Sequence, residues 1–307
     1  MTIFHTPQRA YPALFVRDGA MGDVLDMTPV VRRFRLKNPD TPIHICTQHP
    51  EVFRTNPDIQ KIRVERFSRW SEQVRYDQIF DLNMAQEKHL RNKHSVDCYS
   101  LEVFGDEETP KALTLVFDPK PPDLNVDWEN TIAIHPAISW PQRTLPIEFW
   151  RALIVTLKVR GWNVFSLGTA QDHDLFGMGI DNGRGLFTLA QQASIINASA
   201  GFICSDTGLM AVAQTTRTPV VSLLTMTLPY MAERERFGKM GWGFYPIVAN
   251  IECAGCTHEQ KEPNTFFECK WTDERRNACV TRFNPEAVAW KATAVARQHK
   301  ERRVHAA

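Results

Sequence analysis

The sequence predicts an α/β protein built from two doubly wound lobes that face a central cleft. Strand and helix signals alternate along most of the chain, the mark of parallel sheets covered on both faces. The alternation breaks once, at "GDEETPKALTLVFDPKPPDLNVDWEN" (105–130), where acids and prolines gather as they do before and within linkers. With 307 residues, the chain is long enough to bury two cores.

The first lobe starts with a strand at "ALFVR" (13–17). A helix follows with Val30, Val31 and Phe34 on one face and Arg32, Arg33, Arg35 and Lys37 on the other. Pro29 either kinks this helix or opens a new turn capped by Thr28. "PIHICTQ" (42–48) and "DQIFDLN" (77–83) read as further strands. Beyond the linker come strand "TIAIHP" (131–136) and helix "PIEFWRALIVTLKVRG" (146–161), with Pro at its start and Gly at its end. Strand "NVFSLG", helix "TLAQQASIINAS", strand "GFICSD", helix "GLMAVAQTTR" and strand "PVVSLL" complete the rhythm, while "GMGIDNGRG" (177–185) reads as a flexible loop. The division is therefore a first lobe over 1–125, a second over 126–285, and a C-terminal helix with a basic tail over 286–307. That tail, "RQHKERRVHAA", reads as solvated rather than as a contact for anionic surfaces.

Composition narrows the class. Hydrophobic residues at 43% and charged residues at 23% describe an ordinary globular protein, and a net charge of +1 gives no bulk case for nucleic acid or membrane. The N-terminal "MTIFHTPQRAYPALFV" lacks a leader pattern, and no stretch reaches the ~18 apolar residues of a membrane span. A cytoplasmic location is expected, with the inner face of a membrane as a peripheral alternative. In that compartment thiols stay reduced, so the seven cysteines are not read as disulfides.

Ligands of doubly wound sheets bind beyond the carboxyl ends of the strands. This nominates "RDGAMGD" (17–23), "HPAISWPQR" (135–143), "LGTAQD" (167–172) and "SDTG" (205–208). In the first, Asp23 follows Gly22 at the mouth of a helix, where an anion would ordinarily bind; it is either a helix cap or a general base facing the cleft. In the second, Ser139, Gln142 and Arg143 lie in a loop stiffened by Pro141 and Pro146. Arg143 is either a solvated charge or a bidentate phosphate ligand. His135, at the end of an apolar strand, reads as structural. Asp172 closes the third stretch. In the fourth, Thr207 and Gly208 open a helix whose N–H groups suit phosphate, and Asp206 either caps it or meets a ligand hydroxyl.

Cys253, Cys256, Cys269 and Cys279 form a C-x2-C knuckle followed by two further thiols in a polar segment. That set suits a closed, structural tetrahedral site, with zinc the default ion and iron the alternative; unliganded thiols are the other reading. Cys46, Cys98 and Cys204 sit among apolar residues and read as buried packing groups.

Several segments resemble glycosyltransferase family 9, the ADP-heptose:lipopolysaccharide heptosyltransferases. "ALFVRDGAMGDVLDMTPVVRRFRLKNPDTPIHICT" is similar to the family's opening strand, Gly-x-x-Gly-Asp loop and Thr-Pro helix. "IAIHPAISWPQRTLP" looks like its His-Pro-Gly segment, "CSDTGLMAVAQTTRTPVVSLL" like its Asp-Ser/Thr-Gly segment, and "FNPEAVAWKATAVA" like its closing helix. The chain departs from these patterns at Ala211 (His in the family), Ala137 (Gly) and Leu145 (Trp). The resemblance implies a GT-B architecture, two Rossmann-like lobes with the acceptor on the first and a nucleotide-diphosphate sugar on the second. It implies inverting transfer of a sugar, heptose or a related one, without a catalytic divalent cation. Asp23 falls on the family's proposed base and Arg143 on its diphosphate ligand. Gly22, Ser139, Gln142, Asp172, Asp206, Thr207 and Gly208 complete the expected donor site. Relatives that glycosylate autotransporters carry a four-cysteine finger with iron, which Cys253 to Cys279 resemble. The acceptor is left open between a saccharide or lipid-linked core, a protein side chain and a modified DNA base, the last favoured locally by Arg32, Arg33, Arg35 and Lys37. A homo-oligomer and a non-catalytic nucleotide-binding member also remain open.

Overall fold

A computed structural model describes residues 11–64, 75–89, 93–256 and 269–306. In the first lobe, β1 (Ala13–Val16) is buried along its whole length, as a central strand covered on both faces must be. It pairs in parallel with β2 (Ile43–Cys46) on one side and β4 (Gln78–Asp81) on the other, and β3 (Lys61–Arg63) adds to β2. The sheet order is β3-β2-β1-β4.

Two helices follow β1 where the sequence suggests one: α1 (Met21–Leu25) and α2 (Thr28–Lys37). Pro29 lies in the first turn of α2, where its missing N–H leaves no bond unmade. Thr28 does not cap that turn: Met27 is the cap, and the Thr28 hydroxyl donates to the Leu25 carbonyl at 2.8 Å. The α2 side chains Val30, Val31 and Phe34 are buried as their spacing predicts, each contributing roughly 1.5–3 kcal/mol.

The opposite face of α2 is engaged within the protein. Arg32 pairs with Asp58, Arg33 with Asp106, and Arg35 donates to the carbonyls of Pro39, Thr41 and Asp58. Lys37 lies over the Phe104 ring. The local basic face that favoured DNA thus has partners within the protein, while Arg32 and Lys37 remain exposed.

Helix Ser95–Phe104 ends at Gly105, in the left-handed conformation that a C-terminal cap favours. From 105 to 127 the chain has neither helix nor strand, as its composition predicts. The second sheet contains β5 (Thr131–His135), β6 (Asn163–Ser166), β7 (Asp181–Asn182), β8 (Gly201–Ser205), β9 (Val220–Leu224) and β12 (Phe244–Val248). Its order is β12-β9-β8-β5-β6-β7, all parallel. Strand β7 falls inside the glycine-rich 177–185 stretch that reads as a loop, so that expectation is corrected. Helix Ile147–Val159 starts after Pro146, and helix Leu189–Ala198 is held by a Thr188–Gln191 capping box.

Helix Pro285–Ala306 buries Val288, Ala289, Ala292 and Ala296 against the second lobe. Residues 297–306, read as a solvated tail, continue that helix, and Arg297, Gln298, Glu301 and Arg302 on it are exposed. One contiguous core joins Phe15, Val30 and Leu82 of the first lobe to Phe165, Phe202 and Val212 of the second.

Candidate functional site

The lobes meet where α1 crosses helix Gly208–Ala213. A Cβ on Gly22 would lie 3.4 Å from the Gly208 Cα, and one on Gly208 would lie 2.5 Å from the Met21 Cε. Two glycines at the crossing let the backbones touch. Gly22 and Gly208, both expected in a donor site, therefore also set how close the lobes come.

Beside this contact lies a cavity of about 380 Å³, lined by both lobes. Its first wall carries Asp23. The residue is inside α1, after the cap Ala20, and its side chain makes no capping bond, so the cap reading is excluded. Its carboxylate instead takes a bond from the Arg17 Nη2 at 3.0 Å, with the Gln86 amide at 3.5 Å. The carboxylate is thus held in an ion pair.

Arg17 is anchored from behind. Its Nε donates to the Tyr99 hydroxyl at 2.9 Å and its Nη1 to the Asn83 carbonyl at 2.8 Å. Burial works against the Arg17 charge, but Tyr99 and Asp23 more than offset it and hold its pKa above the ordinary value. A Cβ on Gly19 would sit 2.6 Å from the Arg17 Cζ, so the first glycine of the motif makes room for the guanidinium. The Arg17 side chain is 9% exposed and that of Asp23 31%: the acid is presented and the base is its support.

The second wall reverses these roles. Asp206 accepts from the Thr227 hydroxyl and from the Arg143 Nη2 at 3.2 Å. The Arg143 side chain is 21% exposed and that of Asp206 11%. Asp206 does not cap the following helix; Thr207 holds the cap position. The Arg143 guanidinium lies 4.5 Å from the Trp140 ring centroid. Its Nε–H is buried without a hydrogen-bond partner among the described residues.

A third pair closes the floor. Arg234 meets Asp26 in a bidentate contact at 3.0 and 2.8 Å, with both side chains almost wholly buried. It joins the lobes across 208 positions of sequence. Burial pushes the Asp26 carboxyl above its ordinary pKa, with Arg234 opposing.

Among the sequence-nominated residues, Gly22, Asp23, Arg143, Asp206, Thr207 and Gly208 line the cavity. Ser139, Gln142 and Asp172 do not. The Ser139 hydroxyl accepts from the Trp140 amide, the Gln142 carbonyl accepts from Thr225, and Asp172 is buried under the 135–139 loop. Arg17, Tyr99, Asp26, Trp140, Thr227 and Arg234 were missed. Only Arg17 had a local signal, a charge directly after an apolar strand.

The four cysteines lie behind the second wall. The Cys279 thiol is pushed up to about 12 by burial and by the nearby Cys253, Cys256 and Cys269, and it faces the Gln142 carbonyl at 3.8 Å. The Cys269 sulfur accepts from the Asn277 amide at 3.4 Å. The donor chemistry suits a thiophilic ion. Among the described residues, no group of three or more His, Cys, Asp or Glu side chains is arranged to hold a metal. Cys46, Cys98 and Cys204 are buried, as their surroundings predicted.

Two Rossmann-like lobes around a charged cleft define the GT-B class of glycosyltransferase folds. The profile of glycosyltransferase family 9 (heptosyltransferase) matches residues 55–271, and the chain belongs to that family. The matched span begins after Asp23 and includes Arg143 and Asp206. Lipopolysaccharide heptosyltransferase 1 of Pseudomonas aeruginosa is 26% identical over 163 residues, covering 49% of this chain and 44% of that protein. The match thus spans less than half the length of this curated relative.

Among solved structures, the iron-containing dodecameric heptosyltransferase TibC of E. coli, in complex with ADP-D-beta-D-heptose, aligns with a TM-score of 0.73 and 16% identity. That alignment covers 95% of this chain and 77% of TibC. ADP-heptose lipopolysaccharide heptosyltransferase II of E. coli aligns at 0.64 with 15% identity, over 94% and 99% of the two chains. A family 9 glycosyl transferase of Veillonella parvula aligns at 0.64 with 16% identity, over 94% and 98%. These likenesses establish the fold. No described helix is long and apolar enough to cross a membrane.

Proposed function

We propose that the protein transfers a sugar, heptose or a close relative, from a nucleotide-diphosphate donor, ADP-linked by analogy with the TibC complex, to a hydroxyl acceptor. The carrying observation is the opposition of two ion pairs across one cavity, Asp23 presented by Arg17 and Arg143 presented by Asp206. Asp23 accepts the proton of the acceptor hydroxyl as its oxygen bonds to the anomeric carbon. The bond from that carbon to phosphate breaks, the electron pair leaves with the diphosphate, and Arg143 stabilises the charge that develops there. One displacement inverts the anomeric centre.

A saccharide or lipid-linked core is the favoured acceptor and a protein side chain the alternative. A modified DNA base is the other alternative, with Arg32 and Lys37 exposed on the basic face of α2. Assembly into a homo-oligomer, the state named for TibC, belongs to the same reading. So does a structural metal on Cys253, Cys256, Cys269 and Cys279, with iron or zinc detected by elemental analysis of the purified protein and lost on chelation. Location at the cytoplasmic side, in solution or at a membrane surface, completes it.

One observation favours a second reading, nucleotide binding without transfer: Ala211, which stands where the family motif has His, lines the cavity. Incubation with ADP-, GDP-, UDP- and CDP-sugars, with release of the free nucleotide diphosphate followed, separates the two. Transfer or slow donor hydrolysis that is lost in Asp23→Asn supports the enzyme; binding without release in the wild type supports the second reading.

A further inference from the structure

Beyond Arg234 on the cavity floor the chain enters a hairpin that the mechanism does not use. In it β10 (Glu235–Arg236) pairs antiparallel with β11 (Lys239–Met240). The register leaves Phe237 and Gly238 as a two-residue loop, at φ 51° and 73°. Positive φ at both loop positions matches the twist of the flanking strands and favours Asn-Gly. A phenylalanine at the first position is strained there. Its side chain is also turned to water: Phe237 is 63% exposed and Met240 46%.

The hairpin is anchored at its base. Arg236 is buried and donates to the Thr218 carbonyl at 3.2 Å and the Trp242 carbonyl at 3.3 Å. The Trp242 ring centroid lies 5.0 Å from that of Phe237, edge to face.

Trp242 in turn lines a shallow crevice with Arg217, Tyr245 and Arg302, and no aspartate or glutamate is among the described residues that line it. Arg217 and Arg302 are exposed, and Lys291 lies over the Tyr245 ring at 4.9 Å. Lys239 adds an exposed cation on the hairpin itself. Glu235 and Glu301 are the acids next to these cations in sequence, and Glu235 is half-buried. Arg302 belongs to the basic C-terminal stretch that the sequence reads as solvated. The crevice joins it to the hairpin through Trp242.

We propose that the Phe237–Gly238 turn, with Met240 and the crevice between Arg217 and Arg302, is a docking face for a bilayer of anionic phospholipid. An apolar tip flanked by cations suits such a surface. Aromatic rings enter the boundary between headgroups and acyl chains, while arginine and lysine meet the phosphates. Nucleic acid would satisfy the cations and leave Phe237 and Met240 in water. A second copy docked face to face would cover the apolar tip and set the same cations against each other. Three residues separate Phe237 from Arg234, a span of at most about 11 Å, so docking brings the cavity close to the bilayer. The face lies outside the cavity, and the inference stands whether or not the protein transfers a sugar.

Flotation of the full-length chain with vesicles tests it. Binding is expected to phosphatidylcholine mixed with phosphatidylglycerol at about 7:3 and not to phosphatidylcholine alone, and it should fade as salt rises. Phe237→Asn removes the ring and relaxes the turn, so it should weaken vesicle binding by about tenfold while melting no lower than the wild type. The double variant Arg217→Ala, Arg302→Ala should weaken binding by about tenfold or more. Wild-type binding to neither vesicle, equal binding to both, or full binding by Phe237→Asn would overturn the proposal. Size-exclusion chromatography tests the second copy: a wild-type oligomer that Phe237→Asn dissociates, without vesicle binding, would make the patch a contact between copies and end the membrane reading.

Discussion

The two walls of the cavity use the same pair of residue types in opposite ways. On the first, the arginine is buried and the aspartate faces the cavity; on the second, the aspartate is the more buried partner and the arginine is presented. The buried partner in each case has other bonds, Tyr99 and Asn83 for Arg17, and Thr227 for Asp206. An ion pair of this kind, with one partner almost buried and the other partly exposed, is more than a surface contact. Its use here is positional: each presented charge is aimed by an anchored one of opposite sign. Under the proposed function, a base and a leaving-group clamp would then face one cavity without neutralising each other.

Breaking the first wall should have the largest effect. Asp23→Asn keeps the shape and one accepting oxygen but removes the proton acceptor, so turnover should fall by about 10²–10⁴. Melting temperature should stay within a degree or so, since the carboxylate is partly exposed. Turnover equal to wild type would remove Asp23 from the chemistry.

The Arg234–Asp26 pair is the contrast that sharpens both walls, because both of its members are almost wholly buried and it forms the cavity floor. Asp26→Ala or Arg234→Met alone strands a buried charge and should cost about 3–5 kcal/mol in denaturant unfolding. The double variant should cost less than the sum of the two. Strict additivity would show that the contact does not couple the lobes.

Arg143→Ala should weaken nucleotide-diphosphate binding by about 1.5–3 kcal/mol, the range for a hydrogen bond to a charged group. The smallest expected effect is set by acid. Asp172 has its folded-state pKa depressed from 3.8 to about 2. Its stabilisation, of order 2 kcal/mol, is therefore present above about pH 4 and lost as pH falls through about 2. A stability difference between wild type and Asp172→Asn that shrinks over that window would confirm the sign.

Much of this was legible in the chain. Alternating periodicities gave both sheets, because fully buried parallel strands such as "ALFV" and "GFICS" are continuous apolar runs. Strand-end logic found Asp23, Arg143 and the Asp206–Gly208 turn, since ligand loops follow strands in this architecture. What was not legible depends on contacts between distant residues. Nothing near Asp26 announces Arg234, and nothing near Asp23 announces Tyr99. Short elements failed for a related reason: β7, β10 (Glu235–Arg236) and β11 (Lys239–Met240) have two residues each, too few to show a period. Gln142 and Asp172 are buried and Ser139 is exposed outside the cavity lining, placements that spacing does not encode.

The claim on which all this depends is that the walls have separate tasks. Calorimetric titration of ADP into wild type, Asp23→Asn and Arg143→Ala, run side by side, tests it directly. Affinity should hold within about twofold in Asp23→Asn and drop by about tenfold or more in Arg143→Ala. Equal loss in both variants, or no loss in Arg143→Ala, would contradict the division between an acid wall and a diphosphate wall.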